Sequence, residues 1–224
     1  MHAKLIAIST IVVLSLALSG CGIPIEINIR TIAGSGNVKT ETRPVSNLTA
    51  VTLSGAGELI IEQTGTESLT IEADDNILPI IETRMEGRRL NIGFVPNTAP
   101  SRAARLRYTL TVRSLEDITL SGAGTINATN IRADKFIVSS SGAGKITIAG
   151  TAGDLNITLS GAGAFDGAAF EAKNVVVQVS GVGSSTVNAQ RTLNASVSGV
   201  GSVEYIGNPE VTQQVSGVGS VKQK

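Results

Sequence analysis

The chain of 224 residues has no tryptophan, one histidine, one cysteine and six aromatic residues in all, 3% of its length. Each shortage excludes a chemistry. The histidine is His2 and the cysteine is Cys21, so beyond position 21 there is neither imidazole nor thiol. That removes histidine general bases, thiol nucleophiles, Cys/His metal sites and disulfides from the body of the protein. No sign of charge dominates, with 18 basic and 18 acidic residues, so nothing argues for nucleic acid as a partner. No cofactor is indicated either. Gly161-Ala162-Gly163 is the nearest approach to a dinucleotide loop, but no helical periodicity follows it and no βαβ unit surrounds it.

The one long apolar run is at the start. Lys4 precedes Leu5–Leu18, which is broken only by Ser9, Thr10 and Ser15 and leads into Leu18-Ser19-Gly20-Cys21. Such a run is short for a membrane span and is bounded by small residues, the form of a signal peptide. Its last four residues resemble a bacterial lipobox. That resemblance implies cleavage before Cys21, which then becomes the mature N-terminus, with a palmitate-type acyl lipid on its sulfur and amine. Residues 1–20 are then a lipoprotein signal peptide, and roughly 204 residues remain, enough for one or two domains. Gly22 after the cysteine, in place of an aspartate, points to the outer membrane. The expected location is the cell envelope, facing the periplasm or the exterior.

Seven copies of Ser-Gly-(Ala/Val)-Gly begin at Ser54, Ser121, Ser141, Ser160, Ser180, Ser198 and Ser216, the last six spaced by 20, 19, 20, 18 and 18 residues. A period this short fits one coil of a β-solenoid, a parallel β-helix, rather than a helical repeat. Residues one, three and five before each serine are mainly apolar (Leu159, Ile157 and Leu155 in one copy), and those between are polar. This is the alternation of a half-buried strand. The glycines Gly122, Gly124, Gly142, Gly144, Gly161, Gly163, Gly181, Gly183, Gly199, Gly201, Gly217 and Gly219 then read as structural corners, expected at positive φ. The residue between them, Ala or Val, is expected to point inward. After the corner a second strand carries Ile126, Ile146, Phe165, Val203 and Val221 at matching places. Six coils stacked about 4.8 Å apart span on the order of 24 Å.

The gap of 67 residues between the first two motifs departs from the period. It has room for three wider coils or an inserted β-meander, with strands at 58–63, 68–73, 80–85, 89–94 and 106–113. Residues 21–45, with Pro24, Gly34, Gly36 and Pro44, read as a lipidated N-terminus and tether, leaving 46–224 for the solenoid. The final strand carries Lys222 and Lys224, charges that oppose pairing of an open edge with its own copy.

Several features together resemble the auto-transporter adhesin head GIN domain family, a group also labelled a domain of unknown function. They are the lipobox, Leu59-Ile60-Ile61-Glu62-Gln63, Arg89-Leu90-Asn91-Ile92, the run Val112–Gly124 and the repeated Ser-Gly-x-Gly corners. The resemblance covers about residues 46–221. It implies a β-helical, envelope-associated protein and supplies no catalytic residues. The middle of the corner is Ala and then Val here, where serine is also common in the family.

Function is less legible. The acids Asp134, Asp154, Asp166, Glu171, Glu204 and Glu210 fall at different motif offsets and form no ladder of the kind a polysaccharide-active β-helix uses. Asp74-Asp75 has no surrounding calcium-loop signature. Charge is segregated, however. Seven acids lie in 58–82 with no basic residue, and seven arginines in 84–113 are opposed only by Glu86. One reading pairs adjacent strands of opposite sign. The other gathers Arg102, Arg105 and Arg107 into an anion-binding face for acidic envelope or host glycans. The expectation is a non-enzymatic, lipid-anchored adhesin or envelope-binding module. The alternatives are an assembly module that pairs with another envelope protein and, at a distance, a polysaccharide-active enzyme.

Overall fold

The computed structural model describes residues 29–101 and 104–224. Short strands β1 (Arg30–Ile32) and β2 (Val38–Arg43) precede β3 (Ala50–Leu53) and β4 (Ala56–Gln63), which flank the first Ser-Gly corner. The insertion follows as β5 (Ser68–Asp74), a 3-10 turn at Leu78–Ile80, β6 (Ile81–Glu86), β7 (Arg89–Phe94), β8 (Thr98–Pro100) and β9 (Leu106–Val112). The repeats are β10 (Asp117–Leu120), β11 (Ala123–Ser140), β12 (Ala143–Leu159), β13 (Ala162–Val179) and β14 (Val182–Val197). They end in β15 (Val200–Ile206), β16 (Glu210–Val215) and β17 (Val218–Gln223).

These strands wind a parallel β-solenoid of about five turns. Each of β11–β14 is one coil, running from one Ser-Gly corner to the next. The strands leaving the corner stack as one face, in the order β4, β11, β12, β13, β14, β15 and β17. The strands returning to it stack as the other, through β3, β10, β11, β12, β13, β14 and β16. Corners stay in register from coil to coil, Ala123 beside Ala143 and Ala143 beside Ala162. The unequal coil lengths are absorbed at the opposite edge, where the register shifts between Ala128 and Ile131, Thr147 and Ala149, and Asp166 and Glu171. Asn130 and Gly150 adopt positive φ at this edge, 59° and 144°.

The insertion forms a single further coil, not three, with antiparallel strands beyond it. β7 stacks parallel on β3 and β9 parallel on β4, making one further coil layer. Over that layer, β6 runs antiparallel to β7, β5 antiparallel to β9, and β2 antiparallel to β5. The N-terminal end of the solenoid is therefore closed by antiparallel strands. The paired sheet begins at Val38, within the stretch read as a tether.

The core runs the length of the solenoid between the two faces. Leu53, Leu59, Val51, Ile118, Leu120, Ile126, Phe136, Val138, Leu155, Val177 and Val197 are all buried, each contributing roughly 1.5–3 kcal/mol. Phe136 and Phe170 meet with ring centroids 5.5 Å apart. Among the described residues two hydroxyls, on Tyr108 and Ser185, are buried without a hydrogen-bond partner, and burial pushes the Tyr108 phenol well above its ordinary pKa.

Two expectations about the corner are overturned. The middle residue points outward, not inward: Val182, Val200 and Val218 are 61%, 52% and 75% exposed, and Ala123, Ala143 and Ala162 are also exposed. Side chains just before and after the corner already fill its concave side, so the vertex residue is left on the convex one. Nor is positive φ the reason for glycine. Of the glycines in the seven corners only Gly57 has it, at 117°. The others are needed because coils approach closely. A Cβ on Gly122, Gly142, Gly161, Gly181, Gly199 or Gly217 would run into the carbonyl oxygen of the equivalent glycine in the preceding coil. The same holds for Gly124, Gly144, Gly163, Gly183, Gly201 and Gly219.

Candidate functional site

The arginine-rich segment lies against the antiparallel cap. Arg102 falls outside the described residues. Arg105 immediately precedes β9 and is exposed, and its backbone N–H donates to Asp74 Oδ2 at 3.2 Å. Arg107 is on β9, in register with Glu58 of β4 on one side and Glu72 of β5 on the other. Its Nε and Nη2 both lie 3.1 Å from Glu58 Oε2. Arg105 and Arg107 do share a surface. With Leu106, Glu58 and Glu72 they line a shallow cleft of about 430 Å³. The acidic strands and the arginines are thus neighbours, and the cleft has mixed charge. An incoming anion would compete with Glu58 for Arg107.

The other arginines are dispersed. Arg89 donates to Asp117, Thr52 and Thr119 from Nη1 at 3.0, 3.1 and 3.4 Å, and the bond to Asp117 raises its pKa further. Arg84 sits 3.7 Å from Glu86, while Arg88 and Arg113 are exposed.

Two clamps that hold the cap gave no signal in the sequence, because their partners are about forty residues apart. Arg43, at the end of β2, donates to the carbonyls of Ile81 and Leu78 at 2.6 and 3.1 Å and to Glu41 at 2.8 Å. It ties the two faces together at the N-terminal end. The acids Asp74 and Asp75, with Asn76, bind the turn at Gly34–Asn37. Asp74 is buried and accepts from Gly36 N–H at 2.9 Å, Asp75 accepts from Ser35 Oγ at 2.6 Å and Asn37 Nδ2 at 3.0 Å, and Asn76 accepts from Ser35 N–H. Hydrogen bonds from Ser35 and Asn37, with the charge of Lys39, hold the Asp75 carboxyl below the usual range. These acids fasten the chain.

Acids of the repeats are similarly engaged or scattered. Asp166 pairs with Lys145 at 3.1 Å, which lowers its pKa, and Asp154 accepts from Asn174 at 2.8 Å. Glu204 lies 3.9 Å from Lys224. Among the described residues no group of three or more acids forms a metal-binding cluster. A surface groove of about 720 Å³ at the edge opposite the corners includes Glu116, Arg132, Asp134 and Lys135, a balanced set of charges.

The family model described as "Putative auto-transporter adhesin, head GIN domain" matches residues 47–209. The chain belongs to this head GIN domain family. Membership fits the observed solenoid, whose first regular strand begins at Ala50. Among solved structures, a "putative adhesin" from Bacteroides fragilis NCTC 9343 is similar at 22% identity and a TM-score of 0.69, over 86% of this chain and 100% of that one. A "putative adhesin" from Parabacteroides distasonis ATCC 8503 matches at 18% identity and 0.53, over 87% and 100%. From the same organism, a "putative lipid binding protein" matches at 19% and 0.50, again over 87% and 100%. At these identities the likeness is one of fold. No curated protein matches the chain.

Proposed function

We propose that this head GIN domain protein is a lipid-anchored envelope module that acts by binding through its solenoid surface, without catalysis. The observation that carries the reading is membership of an adhesin-described family over most of the chain. A body without histidine or a second cysteine supports it. Lipidation of Cys21 would hold the solenoid at the membrane, each buried CH₂ of an acyl chain contributing about 0.8 kcal/mol. Gly22 favours the outer membrane. The ligands best matched to Arg105 and Arg107, with Arg102 close by in sequence, are acidic envelope or host glycans, whose carboxylate or phosphate groups a guanidinium binds in bidentate fashion.

The test is retention of the protein on isolated envelope glycans. Changing Arg102, Arg105 and Arg107 together to Gln should lower retention and its salt sensitivity while the melting temperature stays nearly constant. Unchanged retention with a large loss of stability would assign the arginines to strand pairing alone. Separately, Cys21→Ala should abolish labelling by a palmitate analogue, and persistent labelling would overturn the anchor. A second reading, an assembly module, is favoured by the open strand edges at the C-terminal end.

A further inference from the structure

The two ends of the solenoid are unlike. The N-terminal end is capped by antiparallel strands, and although β2 and β6 there also keep a single neighbour each, the inward Leu69 and Ile71 of β5 are at 0% exposure. The last coil has no such cover among the described residues. β16 pairs only with β14 and β17 only with β15, so each presents an unpaired row of backbone N–H and C=O groups. The inward positions of this coil are also uncovered: Val215 is 42% exposed, Val211 and Val221 are partly exposed, and Gln213 is exposed.

We propose that this end is an interface for a second copy of the chain, joined by a two-fold axis through the Ser216–Gly219 corner. β17 runs away from the corner and β16 runs toward it. A two-fold along the bisector of the corner exchanges the two faces, so β17 of one copy lies antiparallel beside β16 of the other, twice. Parity selects the register. With the axis at Gly217, inward Val221 faces inward Gln213, Gly219 faces Val215, and Gln223 faces Val211. Outward Ser220 faces Gln214, and Lys222 faces Thr212. Directly opposed residues in an antiparallel pair point to the same side, so both cores join without a flipped side chain. A register displaced by one residue would set inward against outward positions.

Charge supports the same pairing. β16 carries Glu210, and the strand it meets carries Lys222 and is followed directly by Lys224. In this register Glu210 is opposite Lys224 of the other copy and diagonal to Lys222, within side-chain reach. Among the described residues Lys224 makes only a loose ion pair, 3.9 Å from Glu204, so the ammonium is available to a second carboxylate. The lysines do oppose β17 against β17, which would gather four of them along one ladder. They favour β17 against β16. The interaction is isologous and closes at two copies rather than growing into a fibre. It spans one coil's cross-section, at the low end of interface sizes, so association depends on concentration. It stands apart from the glycan reading and needs none of its residues.

The experiment uses two full-length chains on a Cys21→Ser background, one with Gln214→Cys and the other with Ser220→Cys. Held in detergent at about 100 µM, where mass action favours a weak dimer, each is mildly oxidised alone and then in mixture. Cross-linked dimer should form in the mixture and fall at least several-fold in either chain alone. Adding Glu210→Lys to the Gln214→Cys chain should reduce the mixed product, and adding Lys224→Glu to the Ser220→Cys chain should restore it. Absence of cross-link in the mixture, equal cross-linking of Ser220→Cys with itself, or failure of the charge exchange to restore the product would overturn the proposal.

Discussion

Replacing Gly161 with alanine tests whether the corner glycines serve coil spacing. The added Cβ would overlap Gly142 O and lie 2.5 Å from Ser141 O and 2.6 Å from Ser141 C, whereas ordinary contact begins at 3.4 Å. Relief requires the coils to separate by close to an ångström. That stretches the bonds from Ser160 N–H to Ser140 O (2.8 Å), Ala162 N–H to Gly142 O (3.1 Å) and Gly161 N–H to Ser140 O (3.4 Å). Losing two or three backbone bonds at about 1 kcal/mol each costs ~2–3 kcal/mol. The reduced freedom of the unfolded chain offsets about 0.4–1 kcal/mol of this, leaving a loss of about 2 kcal/mol. Gly219→Ala meets the same obstruction from Gly201 O. There β17 has a neighbour on one side only and can lift away, so a cost of about 1 kcal/mol or less is expected. Gly65→Ala is the control, with φ at +89° and nothing within 4 Å, so it reports backbone strain without collision. Urea midpoints give the ranking Gly161 above Gly219. Equal shifts at these two sites, or none at Gly161, would refute the close-approach account.

Three further outcomes follow from the packing. Ser185→Ala removes a buried hydroxyl without a partner and should leave stability unchanged or raise it by up to ~1 kcal/mol; a loss above that in a urea titration would show the hydroxyl is bonded. Arg43→Lys keeps the charge but gives up the planar fork that reaches the Ile81 and Leu78 carbonyls, and should cost about 2 kcal/mol, with hydrogen exchange accelerated in β2 and β6 before the repeats. Asp75 and Asp166 have carboxyls held below their ordinary value of 3.8. The stability they add is complete above that pH and lost as pH falls through their lower folded values. The double variant Asp75→Asn, Asp166→Asn should therefore show a flatter decline of the urea midpoint in acid. An unchanged decline would mean that neither carboxyl is linked to folding.

The sequence alone determined the repeat. Its period, the alternation before each serine and the small residues at the corner all arise from contacts made identically in every coil, so they recur along the chain. The strands of the insertion were legible for the same local reason: the expected 68–73 and 89–94 lie within one residue of those observed. What failed was the direction of the corner residue and the cause of its glycines. Both depend on the carbonyl of the coil beneath, which has no local trace. Only the tertiary structure decided that Arg107 is met by Glu58, 49 residues away, and that Asp74 and Asp75 fasten the Gly34–Asn37 turn. It also decided that antiparallel strands cap one end of the solenoid while the other ends in its last parallel coil. A period describes what a coil does to its neighbours, and the ends of the stack are where that description stops.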